Sequence, residues 1–194
     1  MSPGTPRRVL PLLAALVALS VLSLSSPSRA QTLLLQQPQA LSGGLAASSS
    51  VPGDRTPGDA FAYESFSLPT RLAVSEIHWR GGYARTHSAV QRFVLSLYAS
   101  AAGGNQPDVF AGPLMTWTVE GRANETYATI LGGVVYFDYA YTLPTPYLVE
   151  PGPVYWLQVE AESASDPDWG MAIGSGGDGH HFVSMLGTLS GGGT

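Results

Sequence analysis

Residues that interrupt regular secondary structure recur at short intervals from residue 59 onward, and they restrict the fold more than any other feature. Glycine and proline cluster at Gly81-Gly82, Gly103-Gly104, Gly112-Pro113 and Gly132-Gly133, and they recur through residues 144–153. No window between these breakers sustains an amphipathic helical pattern. Short segments between Gly/Pro turns are typical of antiparallel β proteins, so the sequence predicts an all-β chain.

Nine segments between the breakers have the composition of β-strands, with aromatic or β-branched side chains or an alternation of apolar and polar positions. The predicted strands are Ala62–Leu68, Ala73–Arg80, Arg92–Ala99, Met115–Glu120, Tyr127–Ile130, Val134–Leu143, Val154–Glu162, Gly170–Gly174 and Phe182–Leu189. The apolar phase slips between Val74 and Ile77, which predicts a β-bulge there. The pattern indicates a single antiparallel β-sandwich domain, jelly-roll-like, over residues 59–189.

The first thirty residues have the parts of a secretory signal peptide. Two arginines precede the apolar run Val9–Leu24, which is short for a membrane span, and Ser28 and Ala30 are small residues at the positions read for cleavage. We therefore expect cleavage near Ala30, a secreted or surface-located mature chain, and no membrane span once residues 1–30 are removed.

Residues 31–58 are rich in Gly, Ser, Pro and Gln and poor in charge, so they predict a loosely ordered lead-in. Leu33–Leu35 is the one candidate edge strand within it. The composition changes at Asp59, where the sandwich is expected to begin. Residues 190–194 (SGGGT) are expected to form a flexible tail.

Charge and cysteine content exclude several classes of function. The chain has no lysine, and loss of the leader with its three arginines leaves six cationic side chains against fourteen acids, a net charge of about −8. Such a chain cannot neutralise many phosphates, which excludes nucleic acid and anionic membrane surfaces as partners. The absence of cysteine excludes disulfides, thiolate catalysis and cysteine-ligated zinc.

Five stretches carry a resemblance to a known group of domains. They are YESFSLP, IHWRGGY, RFVLSLYASAAGGNQPDVFAGPL, PTPYLVEPGPVYWLQVEAE and DPDWGMAIGSGG. In this order they resemble exported bacterial β-sandwich domains of surface-anchored and PEP-CTERM-associated proteins. The second Trp of the late W-x-W motif of those domains is Met171 here. The resemblance implies a non-catalytic extracellular module.

Aromatic residues are the most informative candidates for ligand binding. Trp156, Trp169 and Tyr83 are rigid rings on which a sugar could stack, and Gln158 shares a strand face with Trp156. Large aromatics also supply much of the apolar area of a core, so packing between the sheets is the alternative interpretation.

Carboxylates around the glycine-rich stretch 174–179 are the candidate metal ligands. Asp166 and Asp168 flank a proline, and Asp178 precedes His180 by two residues. Loop carboxylates can hold structural Ca²⁺, although no D-x-D-x-D-G loop is present. The alternative for the S-D-P-D run is a hydrogen-bonded turn. No other cofactor is expected.

The sequence contains few of the residue arrangements that catalysis requires. Ser175 lies in I-G-S-G-G, which lacks the G-x-S-x-G spacing of hydrolases. Glu160 and Glu162 share one strand face and alternate with small residues, as on a solvated surface rather than across a cleft. His180 and His181 are adjacent and would point to opposite faces of a strand. The sequence therefore predicts no enzyme.

These observations predict a secreted, non-catalytic β-sandwich module with a structural or adhesive role at the cell surface or in the extracellular matrix. A carbohydrate-binding module that uses exposed aromatics is the alternative, and a metal-dependent or other hydrolase is the second alternative. The expected partner is a glycan or another surface protein. The oligomeric state stays open, and strands without lysine leave edge-to-edge assembly available.

Overall fold

The structure of the protein is a computed structural model that describes residues 36–53, 58–84, 90–164, 168–175 and 180–185. None of these residues forms a helix, so the described part contains no helix that could cross a membrane. The predicted signal peptide, the candidate edge strand Leu33–Leu35 and the tail 190–194 lie outside the described residues.

Eleven strands in the described part form two sheets. The strands are β1 Leu45–Ala47, β2 Ser49–Ser50, β3 Ala60–Phe66, β4 Leu72–Tyr83, β5 Val90–Ala99, β6 Met115–Glu120, β7 Thr126–Leu131, β8 Val134–Val149, β9 Tyr155–Ser163, β10 Trp169–Ala172 and β11 His181–Met185. Sheet 1 has the order β1-β10-β4-β8-β7, and sheet 2 has the order β11-β3-β2-β9-β5-β6. Neighbouring strands are antiparallel except β2 and β9, and consecutive strands repeatedly change sheet. The predicted antiparallel, jelly-roll-like β-sandwich is confirmed.

Strand bounds follow the sequence pattern most closely where the alternation is regular. Strand β6 has the predicted bounds, with Trp117 and Val119 buried between exposed neighbours. The register of β4 on β8 shifts between Val74 and Glu76, which confirms the predicted bulge. The prediction that β4 ends at Arg80 is wrong, because Gly81 and Gly82 continue the strand and pair with β8.

The core lies between the two sheets and contains a group of packed aromatic rings. Trp79 and Tyr139 of sheet 1 stack with their ring centroids 5.5 Å apart. Phe93 of sheet 2 meets Trp79 edge-on at 5.3 Å and Trp169 at 5.1 Å. Such pairs add about 0.5–1.5 kcal/mol each beyond the area that they bury, so this aromatic group fixes how the sheets face each other.

The segment before residue 59 belongs to the sandwich. Strand β1 pairs with β10 in sheet 1, and β2 pairs with β9 in sheet 2. Upstream, the Tyr136 hydroxyl accepts a hydrogen bond from Gly44 N–H at 2.7 Å and lies 3.2 Å from the Gly44 carbonyl. The expectation of a loosely ordered lead-in is therefore wrong for residues 39–50. These residues are held by backbone pairing, which their composition does not reveal.

Ser48 joins the two sheets at the crossing between β1 and β2. Its backbone N–H donates to Trp169 O of sheet 1 at 3.2 Å, and its carbonyl accepts from Ala161 N–H of sheet 2 at 3.0 Å. The hydroxyl donates to Val159 O at 2.5 Å and accepts from Ala62 N–H at 3.0 Å. Ser48 is completely buried with all of these groups satisfied, so a small hydroxyl side chain fits this point.

Candidate functional site

The four side chains predicted to bind a ligand are buried. Their exposed fractions are 0% for Trp156, 2% for Trp169, 8% for Tyr83 and 4% for Gln158. A sugar ring cannot stack on a ring that solvent does not reach. These residues therefore do not form the exposed platform that one interpretation of the sequence required, and core packing describes them instead.

Trp169 and Tyr83 belong to a hydrogen-bonded group around one buried carboxylate. The Tyr83 and Tyr139 hydroxyls donate to Oε2 of Glu125 at 2.8 and 2.9 Å. Trp169 Nε1 in turn donates to the Tyr139 hydroxyl at 3.1 Å. The Glu125 side chain is only 7% exposed and faces Arg122 at 3.5 Å. Charge-assisted hydrogen bonds of this kind offset the cost of burying a carboxylate.

The same arrangement shifts the titration of both tyrosines. Burial raises the pKa of Tyr83 and of Tyr139 above the ordinary value, because the phenolate loses its hydration. The Glu125 carboxylate raises both pKa values further through its hydrogen bonds and its negative charge. Both phenols therefore stay protonated in the folded chain well beyond neutral pH. No local pattern predicts this group, because Glu125 is an isolated acid between a turn and a strand.

Trp156 lies on the outer face of sheet 2, yet neighbouring side chains cover it there. It clusters with Phe61 and Tyr63, and Tyr98 packs against the same group. The Tyr63 and Tyr98 rings meet edge-on with centroids 5.6 Å apart. Trp156 Nε1 donates to the Ser100 hydroxyl at 2.7 Å. A second, smaller apolar cluster therefore lies on the face that alternation predicts to be polar.

Polar side chains on this outer face bind one another. The Tyr98 hydroxyl donates to Oε1 of Gln158 at 3.0 Å, and Nε2 of Gln158 donates to Oε2 of Glu160 at 3.2 Å. Arg92 forms an ion pair with Glu162, whose side chain is only 13% exposed. Glu160 and Glu162 do share a face as predicted, but the expectation of a freely solvated surface is wrong for Glu162, because β5 supplies its arginine partner.

A loop follows β5 at the end of sheet 2. We call residues 101–114 the apolar loop. Asp108 N–H donates to Ala99 O at 2.9 Å. Leu114 N–H donates to Leu97 O at 2.7 Å, at the start of β6. These hydrogen bonds tie both ends of the segment 108–114 to β5.

The tip of the apolar loop exposes large apolar side chains. Phe110 is 97% exposed, and Val109 and Leu114 are 41% and 47% exposed; the adjoining first residue of β6, Met115, is 40% exposed. Contiguous exposed apolar groups are typical of interaction sites. The sequence reasoning missed this feature, although a phenylalanine inside the turn-forming run D-V-F-A-G is a signal that could have found it.

Of the three candidate metal ligands, only Asp168 lies in the described part of the chain. Asp168 is buried at 7% exposure, while Asp166 and Asp178 lie outside the described residues. Across the described ranges there is no group of three or more His, Asp or Glu side chains arranged for a metal ion. Structural calcium and the hydrolase alternative therefore stay predictions. Ser175 is exposed and donates to the Pro38 carbonyl at 3.2 Å, beside the isolated bridge between Gln39 and Gly174.

The two packed sheets define this chain as an antiparallel β-sandwich domain. The chain belongs to a protein family described as a domain of unknown function (DUF7901), whose model matches residues 34–175. No curated protein and no solved structure matches the chain significantly. The matched range contains β1 to β10, so the family domain includes the segment before residue 59.

Proposed function

We propose that this chain is an exported, non-catalytic β-sandwich module with a structural or adhesive role at a cell surface or in an extracellular matrix. The observation that carries the proposal is the tip of the apolar loop, where Phe110 is 97% exposed. Burial of this ring against a partner would contribute about 2 kcal/mol. An exposed apolar tip favours binding over chemistry as the task of this part of the molecule.

The attachment of the loop to the sheet supports the same proposal. Because Asp108 and Leu114 are hydrogen-bonded to β5, both ends of the tip are already held before it binds, which lowers the entropic cost of binding. The mature chain has a net charge of about −8 and no lysine, which disfavours attraction to anionic lipid. Another surface protein is therefore the partner that the loop fits best.

The exposed edge strand β7 supports a structural role in another way, because it could pair with a strand of another chain. It forms one edge of sheet 1 among the described residues, and its sequence TYATIL contains no charge, proline or glycine. Tyr127 and Ile130 on this strand are 64% and 58% exposed. Edges of this kind are weakly protected against pairing, although the register shift between Tyr127 and Thr129 gives some protection.

Substitution Phe110→Ser is expected to release the protein from the cell surface without unfolding it. The full chain with its own leader would be produced in a bacterial host, and its amounts in cytoplasm, surface wash and medium would be measured. Loss of the ring should weaken retention by about 30-fold, the equivalent of about 2 kcal/mol. The melting temperature should stay unchanged, because Phe110 makes few contacts.

The matched control is Leu41→Ser, since Leu41 is 94% exposed and lies outside the apolar loop. It should leave retention unchanged. If both variants and the unsubstituted chain are retained equally at the cell surface, the proposed adhesive role of the loop is contradicted. Accumulation of every form in the cytoplasm would instead contradict export.

A further inference from the structure

A polar cleft lies beside the β6–β7 turn. Its volume is about 510 Å³, which is within the range of sites for small molecules. It opens between β6 and β8, with one lining residue from β4 and three from the turn. Six polar side chains line it: Glu76, Glu120, Arg122, Asn124, Tyr141 and Thr142.

The chemistry of the lining selects one class of ligand. Two carboxylates accept hydrogen bonds, a guanidinium donates, and a carboxamide and two hydroxyls do both. Only three of the lining residues, Val119, Ala123 and Ala140, are apolar, and all three are small or medium in size. A ligand with many hydroxyl groups and little apolar surface matches this set.

Charge narrows the class further. Glu76 and Glu120 outnumber Arg122 in the cleft, and Arg122 already lies 3.5 Å from Glu125. The surroundings are therefore net negative, which disfavours phosphorylated or carboxylated ligands. A neutral saccharide is favoured over an anionic one.

One wall of the cleft is held in an uncommon backbone conformation. Ala123 and Asn124 have φ angles of 46° and 56°, in the left-handed region that is costly for residues with a Cβ. Glu125 N–H donates to Arg122 O at 2.9 Å, and Ala140 N–H donates to Ala123 O at 3.3 Å. The Glu125 carboxylate, held by two tyrosine hydroxyls, fastens the end of this turn.

The opposite wall is shaped by the irregular pairing of β4 with β8. Glu76 pairs with Thr142, but Val74 pairs with Tyr147, so β8 takes a longer path at this point than β4 does. Bulges of this kind redirect side chains and are frequent beside binding sites. Both walls are therefore fixed before any ligand arrives, which lowers the entropic cost of binding.

We propose that this cleft is a binding site for a neutral saccharide, with Glu120 and Asn124 forming hydrogen bonds to its hydroxyl groups. The site is separate from the apolar loop, and its occupation does not depend on the proposed adhesive role. It also differs from the carbohydrate site expected from the sequence, because none of Trp156, Trp169, Tyr83 and Gln158 lines it.

The test is an array of neutral and anionic glycans probed with the mature protein in the presence of a chelator. Hits would be confirmed by titration with the free oligosaccharide. Binding to neutral glycans is expected, and Glu120→Gln and Asn124→Gly should each weaken it by about tenfold. Glycine adopts the φ of Asn124 without strain, so this variant removes the carboxamide and keeps the turn.

Glu150→Gln is the matched control, since Glu150 is exposed and lies outside the cleft. A blank array, a preference for anionic glycans, or binding that survives both cleft variants would overturn the proposal. Phe110→Ser should leave saccharide binding unchanged, so failure of the adhesive role and failure of the cleft are distinguishable. Thermal unfolding of each variant confirms that the fold is retained.

Discussion

Replacement of Gly81 by alanine is expected to prevent stable folding. A Cβ at this position would lie 2.1 Å from Cζ2 of Trp169 and 2.6 Å from the Gly170 carbonyl oxygen. Neither neighbour can move easily, because the Trp169 ring is 2% exposed in the aromatic core and Gly170 is part of a paired strand. Overpacking in a core costs about 1–3 kcal/mol and occasionally more, and we expect a loss above about 3 kcal/mol.

The matched control is Gly133→Ala. Gly133 has a φ of 81° but nothing within 4 Å of an added Cβ, so this substitution measures backbone strain alone, about 1 kcal/mol. Urea unfolding of the two variants would separate the effects. Equal urea midpoints for Gly81→Ala and Gly133→Ala would show that Trp169 does not pack directly over Gly81.

Raising the pH above about 10 is expected to destabilise the fold through Tyr83 and Tyr139. Both pKa values are raised in the folded state by burial and by Glu125, while unfolded tyrosine titrates near 10. The stabilisation is fully present below about pH 10. Above it the unfolded chain loses two protons that the folded chain keeps, so the free energy of unfolding falls by about 2.7 kcal/mol per pH unit.

This pH dependence can be tested by urea unfolding between pH 9 and pH 11, a range chosen around the ordinary tyrosine pKa of about 10. The double variant Tyr83→Phe with Tyr139→Phe should lose most of the slope, whatever its stability at neutral pH. Tyr127→Phe is the control, because Tyr127 is 64% exposed and should not affect the slope. An unchanged slope in the double variant would show that these two phenols ionise normally in the folded chain.

Alternation along a strand predicts which residues share a face, but it does not predict whether that face is covered. The sequence places Trp156 and Gln158 on one face, and the structure agrees. Their burial depends on Tyr63 and Tyr98, which come from strands far away in sequence. No local pattern records that contact, so an exposed binding face and a second apolar cluster look the same in the sequence.

The glycine pair in β4 shows a second limit. Gly81 and Gly82 look like the end of a strand because glycine weakens strands in general. In the structure they continue β4 because a tryptophan ring and the Val135 carbonyl need the space of the missing side chains. In the sequence, a glycine that is required for close approach cannot be distinguished from a glycine that ends a strand. Tertiary packing alone distinguishes them.

The pairing of β1 and β2 also determines when the two sheets can be completed during synthesis of the chain. Leu45 pairs with Ala172, and Ser49 pairs with Ala161. The first two strands of the domain therefore need partner strands that are synthesised near its end. While a ribosome is still extending the chain, Ser48 can contact Ala62 of β3 early, but its other partners Val159, Ala161 and Trp169 have not yet been made. Contacts between such distant positions form slowly. Strand β1 therefore stays unpaired until β10 emerges, so the edge of sheet 1 that it forms is among the last parts of the fold to be completed.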